Sequence, residues 1–448
     1  MEIRIHRIEH GEETVLFFCD SLSIEKVEKE DADCIDRILG GMSEQQAREE
    51  GEPFLLRYRK NMELLKRQES CPAPEPDDPD TFSTLILHVA NDCNMECAYC
   101  FANHGTYASA PSMMSPQTAR AALERYISQY RRIREIKFFG GEPLMNLPAI
   151  EAACACVCEQ HAQGRLDRLP RFKVITNGTI LTAEIAQTVI RYNIQVVFSL
   201  DGPASIHDAL RYFPGRNPSW QLILENFRRW REYTGGAQPC FIETTYTQAH
   251  IDAGWSIPDL VHYFQTELGM KPGQVNVSLV NLPKSDPLSI PDAAACWSRY
   301  ASELIDRRRT RGDLPCDLKL MGLIYRLKQK KTAPEELCPA GKTWSAVSAE
   351  GRVYPCLMFM DNDRFFMGAV WEDLFRQKRC QEVVRQFQNF HPKQHPPCST
   401  CFANRVCNQC AGINFYMTGN PARAHAQQCD AMRRTIEALL CGIADGLL

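Results

Sequence analysis

Residues 84–101 read TLILHVANDCNMECAYCF, an apolar run that passes straight into a loop carrying Cys93, Cys97 and Cys100. The first seven, TLILHVA, hold neither Gly nor Pro and predict a strand buried on both faces, as in a parallel sheet. Five more strand-like runs follow: EIKFFG (135–140), FKVITNG (172–178), IQVVFSL (194–200), CFIETTY (240–246) and QVNVSLV (274–280). Between them lie helical patterns such as SPQTARAALERYISQYRR, TAEIAQTVIRY, SWQLILENFRRWREY and PDLVHYFQTEL, each opening near a Ser, Thr, Pro or Asp. Six strand-then-helix repeats over 81–285 predict an α/β fold built on a partial (β/α)6 barrel, two units short of a closed (β/α)8 barrel.

On either side of this core the pattern changes. Residues 1–70 begin with strand-like EIRIHRI, TVLFFCD and SIEKV, followed by helical DADCIDRILGGM and PFLLRYRKNMELLKRQ, which predicts a small β3α3 unit. Residues 71–80, CPAPEPDDPD, combine four prolines with four acids and predict an extended linker. After the core, 286–335 carry helical spacing, and 336–448 turn loop-rich and cysteine-dense before a closing helix around AMRRTIEALLCGIA.

The 448 residues suggest two or three domains, and 44% hydrophobic with 24% charged residues excludes a largely disordered chain. A net charge of −4 argues against a nucleic-acid-coating surface. The opening lacks a signal peptide's basic and apolar regions, and no run of 18 apolar residues is present to span a bilayer, so a cytoplasmic location is expected. Disulfides rarely persist there, which makes tightly spaced groups among the 21 cysteines candidate metal or cluster ligands.

The triplet C-x3-C-x2-C suits a cubane held by three thiolates, which leaves one iron open; a structural zinc site would normally close with a fourth Cys or His. This spacing, with aromatic Tyr99 before the third cysteine, resembles the signature of the radical S-adenosylmethionine (SAM) superfamily. The resemblance implies a 4Fe-4S cluster on Cys93, Cys97 and Cys100 that chelates the SAM methionine and cleaves SAM to a 5′-deoxyadenosyl radical. It implies further SAM contacts at strand ends: Gly140, Gly141 and Glu142 in FFGGEP, Asn177 in ITNGT and Ser199 in FSLDGP. His207, Asp208 and Arg211 in IHDALR read as a loop-closing polar network and are left outside catalysis.

Cys338, Cys356 after Gly351, Cys398, Cys401, Cys407, Cys410 and Cys429 resemble the spacing of a SPASM domain, with one residue fewer than the family pattern between Cys407 and Cys410. By the family's interleaving, one auxiliary 4Fe-4S cluster takes Cys398, Cys401, Cys407 and Cys429. The other takes Cys338, Cys356 and Cys410, with Cys316 or an open site as the fourth position. Three clusters per chain are thus implied. Cys154, Cys156 and Cys158 in ACACVC sit on a helical pattern where residues two apart do not face one another, so packing explains them better than a metal.

Residues 2–40 resemble the winged-helix-like leader-recognition element of maturases of ribosomally made peptides, especially the SCIFF-type (ranthipeptide/sactipeptide) thioether-forming branch. The implied activity is formation of a thioether between a Cys sulfur and a carbon of another residue. Its implied partners are a precursor peptide, whose leader binds the N-terminal unit, and a reductant such as flavodoxin or ferredoxin. Anaerobic sulfatase maturation is the alternative, but that branch has an aspartate general base directly after the cysteine of G-x4-C, where this chain has Leu357. A non-catalytic zinc scaffold is the remaining alternative. The sequence assigns no catalytic side chain beyond the cluster ligands.

Overall fold

Three antiparallel strands open the chain, β1 (Ile5–His10), β2 (Glu13–Phe18) and β3 (Ser23–Glu28), with β2 in the centre. Alternation divides β2 between two cores: Val15 and Phe17 join the main one, while Leu16 and Phe18 pack on Ala32, Ile35 and Leu65. The latter come from α1 (Lys29–Leu39) and α3 (Glu52–Lys66), separated by α2 (Glu44–Glu49), whose start is fixed by a Ser43–Gln46 capping box. The computed structural model describes residues 3–72, 78–106, 110–236, 238–333, 338–388, 394, 396–407 and 409–448, so 73–77 of the expected linker lie outside the described residues.

The core follows the expected strand order. β4 (Thr81–Asn91) has the short β5 (Ser112–Met113) at its end, then come β6 (Arg132–Gly140), β7 (Arg171–Thr176) and β8 (Gln195–Ser199). The two-residue strands β9 (Tyr212–Phe213) and β10 (Asn217–Pro218) form a separate hairpin before β11 (Cys240–Tyr246) and β12 (Val275–Leu279). Strands β4, β6, β7, β8, β11 and β12 lie side by side in that order, all parallel, as the six runs of the sequence predicted. Helices return the chain between them, including α4 (Pro116–Ile127), α5 (Leu147–Ala162), α6 (Ala183–Arg191), α7 (Ala204–Leu210), α8 (Trp220–Tyr233), α9 (Gln248–Asp252) and α10 (Ile257–Glu267). Ser115, Thr182 and Ser256 cap α4, α6 and α10 through their side-chain oxygens, which explains why those start signals were readable. Cys154 and Cys156 are buried on α5 as packing residues.

After α11 (Ala293–Arg311) and α12 (Leu318–Lys328) the structure departs from the loop-rich expectation. Strand β13 (Trp344–Val347) pairs in parallel with β4, and β14 (Arg352–Tyr354) and β15 (Gly368–Ala369) continue antiparallel, so the C-terminal region extends the barrel sheet. Runs of four, three and two residues are too short to carry a readable period. The chain closes with α13 (Lys378–Gln388), α14 (Ala411–Thr418) and α15 (Ala426–Ala444). No helix among the described residues is long and apolar enough to cross a membrane.

At the amino ends of β6 and β7, Glu135 is nearly buried, with Lys137 Nζ at 3.1 Å and Lys173 Nζ at 3.2 Å. Burial alone would raise this carboxyl, but the two ammonium groups outweigh it and hold the pKa below the ordinary glutamate value of 4.5. A lowered folded-state pKa adds stability above the unfolded-state value and loses it as pH falls through the folded one. Glu135→Gln should therefore be destabilising at neutral pH, and the gap from the parent should close in acid. Urea midpoints measured between pH 7 and pH 3 would check this; a gap independent of pH would refute it.

Candidate active site

Strand β4 delivers its loop to the carboxyl edge of the barrel, where strand-and-helix barrels gather their functional groups. Glu96 N–H donates to Tyr212 O (2.8 Å) and Ala98 N–H to Leu210 O (2.8 Å), which sets Cys97 directly opposite Arg211. The three thiols share one electrostatic neighbourhood, with Cys97 acting on Cys93 and Cys100 acting on Cys97. Burial pushes Cys93 up to about 12 and raises Cys97, a cost to the thiolate forms that a bound cationic cluster would offset.

The glycines of the G-G-E-P stretch make this loop possible. Gly141 N–H donates to Ala90 O (2.8 Å) and Glu142 N–H to Asp92 O (2.9 Å), zipping the cysteine loop to the end of β6. A Cβ on Gly141 would lie 2.1 Å from Asp92 O and 2.9 Å from Cys93 Cβ; one on Gly140, where φ is +144°, would lie 2.2 Å from Ala90 O. Glu142 is fully buried, and its carboxylate already accepts from Leu144 N–H (2.9 Å), Thr176 Oγ1 (2.7 Å) and Asn177 N–H (2.7 Å). It therefore braces Asn177, whose Nδ2 donates to Asn94 Oδ1 (2.8 Å) and stands 3.8 Å from Cys93 Sγ. Ser199 ends β8 in register with Glu243 on β11, which is in turn level with Asn276 on β12. The Glu243 carboxylate accepts from Asn276 Nδ2 at 2.7 Å and from Ser278 Oγ at 3.0 Å. Sequence reading did not single out Glu243, because a lone acid in a strand has no spacing signature.

Tyr99 is held by its phenol. Its hydroxyl donates to Asp201 Oδ2 and accepts from Arg211 Nη1 at 2.7 Å. The other Asp201 oxygen accepts from Thr245 N–H (2.9 Å). His207, its pKa lowered to about 4 by burial, is neutral and accepts from Asp201 N–H through Nδ1 (3.2 Å), while Asp208 accepts from Ser219 and Trp220 N–H. The IHDALR residues thus form the loop-closing network that their spacing suggested, with Arg211 reaching from it to the cysteine loop.

In the C-terminal region Cys398, Cys401, Cys407 and Cys429 line one cavity together with Gln409 and Arg433. Gln409 Nε2 donates to Cys429 Sγ at 3.1 Å. Cys338, Cys356 and Cys410 form a second neighbourhood, each of the first two acted on by Cys410. Cys316 is elsewhere, buried against Tyr300 and Asp317 with its thiol directed at Asp317 O (3.5 Å), so the structure does not bring it to that trio. Its spacing alone held no sign of this. The N-terminal unit supports the Cys398–Cys407 loop: His6 stacks on Phe402 at 3.6 Å, Arg4 Nη1 donates to Ser399 O (3.1 Å), and Arg405 Nη1 donates to Cys71 O (2.9 Å) and Asp20 O (3.3 Å).

None of the 21 cysteines is in a disulfide. Among the described residues no group of three or more His, Cys, Asp or Glu side chains is arranged to hold a single metal ion. A cubane takes one thiolate at each iron corner, so its ligands stand farther apart than those around one ion, and all-thiol sets of three, three and four suit that chemistry.

Residues 87–246 match the Radical SAM superfamily, and residues 338–402 match SPASM, an iron-sulfur cluster-binding domain. The radical SAM cyclopropyl synthase TigE of Paramaledivibacter caminithermalis is 32% identical over 143 residues, which are 29% of this chain and 29% of TigE. A cysteine-type anaerobic sulfatase-maturating enzyme of Clostridium novyi is 25% identical over 341 residues, 73% of this chain and 87% of the relative. The chain spans less than half the length of the first curated relatives it matches. Among solved structures, native anSMEcpe with bound AdoMet superposes with a TM-score of 0.65 at 18% identity, over 82% of this chain and all of its own. Streptococcus suis SuiB bound to S-adenosylmethionine does so with a TM-score of 0.55 at 14% identity, over 95% and 99%. The barrel with its three-cysteine loop is a radical SAM domain, and the cysteine-rich region after it is a SPASM domain.

Proposed function

We propose that this protein is a radical SAM/SPASM maturase that joins a Cys sulfur of a ribosomally made precursor peptide to a carbon of another residue. The observation that carries the reading is the three-cysteine loop, clamped on Gly140–Gly141 and followed in the same chain by two further thiol groups. Cys93, Cys97 and Cys100 hold the SAM-binding 4Fe-4S cluster. Cys398, Cys401, Cys407 and Cys429 hold one auxiliary cluster, and Cys338, Cys356 and Cys410 hold the other. When bound, the first cluster and SAM supply a 5′-deoxyadenosyl radical that removes a hydrogen atom from carbon. In net terms one C–H and one S–H bond would be lost and a C–S bond formed; the hydrogen atom would go to 5′-deoxyadenosine, the thiol proton to solvent and the surplus electron to an auxiliary cluster.

The chain's own residues bind and orient. Tyr99, Gly140, Gly141, Asn177 and Ser199 line the SAM site, and Glu142 fixes the Asn177 backbone from beneath. Supporting a peptide substrate, β3 pairs only with β2 among the described residues, and a groove of about 380 Å³ runs beside it, lined by Lys26, Val27, Asp31, Lys60 and Leu64. An extended leader would add there as a fourth strand. A flavodoxin or ferredoxin would supply the electron, in the cytoplasm.

Sulfatase maturation is the second reading, favoured by the extent of the likeness to the Clostridium novyi enzyme and opposed by Leu357 at the base position. Incubation of the reconstituted enzyme, SAM and dithionite with a cysteine-rich precursor is expected to remove a pair of hydrogens per crosslink, mapped by fragmentation. Reaction of a cysteine-free precursor would sink the thioether reading and leave the radical SAM reading intact. Formation of an aldehyde on a sulfatase peptide would favour the alternative.

A further inference from the structure

Arg211 is the feature of the site for which the loop-closing network gives no full account. It is only 9% exposed, and a buried guanidinium is costly unless its donors and its charge are answered. Nη1 donates to Tyr99 Oη, yet Nε has no partner. Backbone pairing of 96–98 with 210–212 places Arg211 opposite Cys97, and its charge is felt by Cys93, Cys97 and Glu142. The nearby carboxylate of Asp201 is already engaged by the Tyr99 hydroxyl and Thr245 N–H.

We infer that Arg211 is a charge-setting residue of the SAM-binding cluster: its fixed positive charge, held against the cysteine loop through Tyr99, stabilises the more negative, one-electron-reduced state. The inference rests on the cluster assignment under Proposed function and adds to it a residue that is not a ligand. Local charge and hydrogen bonding are general determinants of iron–sulfur potentials, and a buried charge is screened far less than an exposed one.

The test is an EPR-monitored redox titration of the anaerobically reconstituted full chain, following the cluster whose signal responds to SAM. Arg211→Gln is expected to be at least about tenfold less reduced at the parent's midpoint, a shift of about 59 mV to lower potential for one electron. Arg211→Lys, which keeps the charge, should stay within about threefold of the parent. Asp201→Asn, which removes a negative charge from the same network, should shift the opposite way. Structural damage alone would not move two variants in opposite directions. Equal shifts in Arg211→Gln and Arg211→Lys, no shift in Arg211→Gln, or Asp201→Asn moving with Arg211→Gln would overturn the inference. A parent protein with no SAM-responsive cluster would instead overturn the functional reading beneath it.

Discussion

Gly141→Ala is expected to leave the fold standing and to empty the three-cysteine site. The added methyl would meet Asp92 O at 2.1 Å, Asp92 C at 2.5 Å and Cys93 Cβ at 2.9 Å, two backbone atoms and the first side-chain carbon of a proposed ligand. None of these is a flexible tip that can swing aside. Gly105 crowds the same place, since a Cβ of its own would come within 2.6 Å of Gly141 Cα and 3.0 Å of Asp92 C. The cysteine loop must shift by a fraction of an ångström or more, and a displacement of about 1 Å typically costs about a hundredfold where geometry controls chemistry. Iron should fall from about twelve to about eight per chain, four for each cubane. Reductive SAM cleavage should fall by about a hundredfold or more, with circular dichroism unchanged. Gly322→Ala is the control: it lies inside α12, a Cβ there meets nothing within 4 Å, and alanine should be neutral or stabilising by up to about 1 kcal/mol. Full iron content in Gly141→Ala would show that the loop adapts and that the close approach does not matter.

That result bears on what a sequence can convey. The barrel strands were legible because strands covered on both faces demand continuous aliphatic runs, such as Leu85–Ile86–Leu87 and Val196–Val197–Phe198. Cysteine spacing pointed to the thiol-rich loops because thiols that share one metal group must be close in the chain or recur in a set pattern. The Gly140–Gly141–Glu142 stretch was read as a grip on a ligand, and the structure adds an internal job that the motif did not announce: the glycines admit the cysteine loop, and Glu142 anchors Leu144, Thr176 and Asn177. A motif marks a crowded place without saying which groups crowd it. Arg211 and Tyr99 lie 112 positions apart and meet only through tertiary pairing, so no local pattern announces their contact. Cys316 illustrates the converse, since proximity in sequence to Cys338 did not place it with Cys338, Cys356 and Cys410.

The second large effect is expected where the N-terminal unit meets the auxiliary-cluster loop. Between Cys398 and Cys407 the chain has neither helix nor strand and relies on turns such as Cys401 N–H to Cys398 O (3.1 Å) and Cys407 N–H to Ala403 O (2.8 Å). Irregular backbone of this kind takes its geometry from whatever packs on it. Here that is β1 and β2: Phe402 lies flat on His6, 3° from parallel, and edge-on to Phe17 at 6.5 Å, while Arg405 spans to the carbonyls of Asp20 and Cys71. Phe402→Ala removes the shared ring and Arg405→Ala the bridge. Each should cost roughly 2 kcal/mol locally, the usual scale for losing a packed group or a network member. Because Phe402 directly follows Cys401, a proposed ligand, the double variant should lose about four irons per chain while keeping the SAM-responsive cluster. SAM cleavage would then persist within about threefold, and crosslinked peptide would fall by about tenfold or more, since the remaining function would be uncoupled. Iron analysis, EPR and product mass spectrometry on the same samples separate these outcomes. If the double variant kept every cluster and still lost crosslinking, the N-terminal unit would act through the peptide alone, and its contact with the cluster loop would be packing without consequence for the metal.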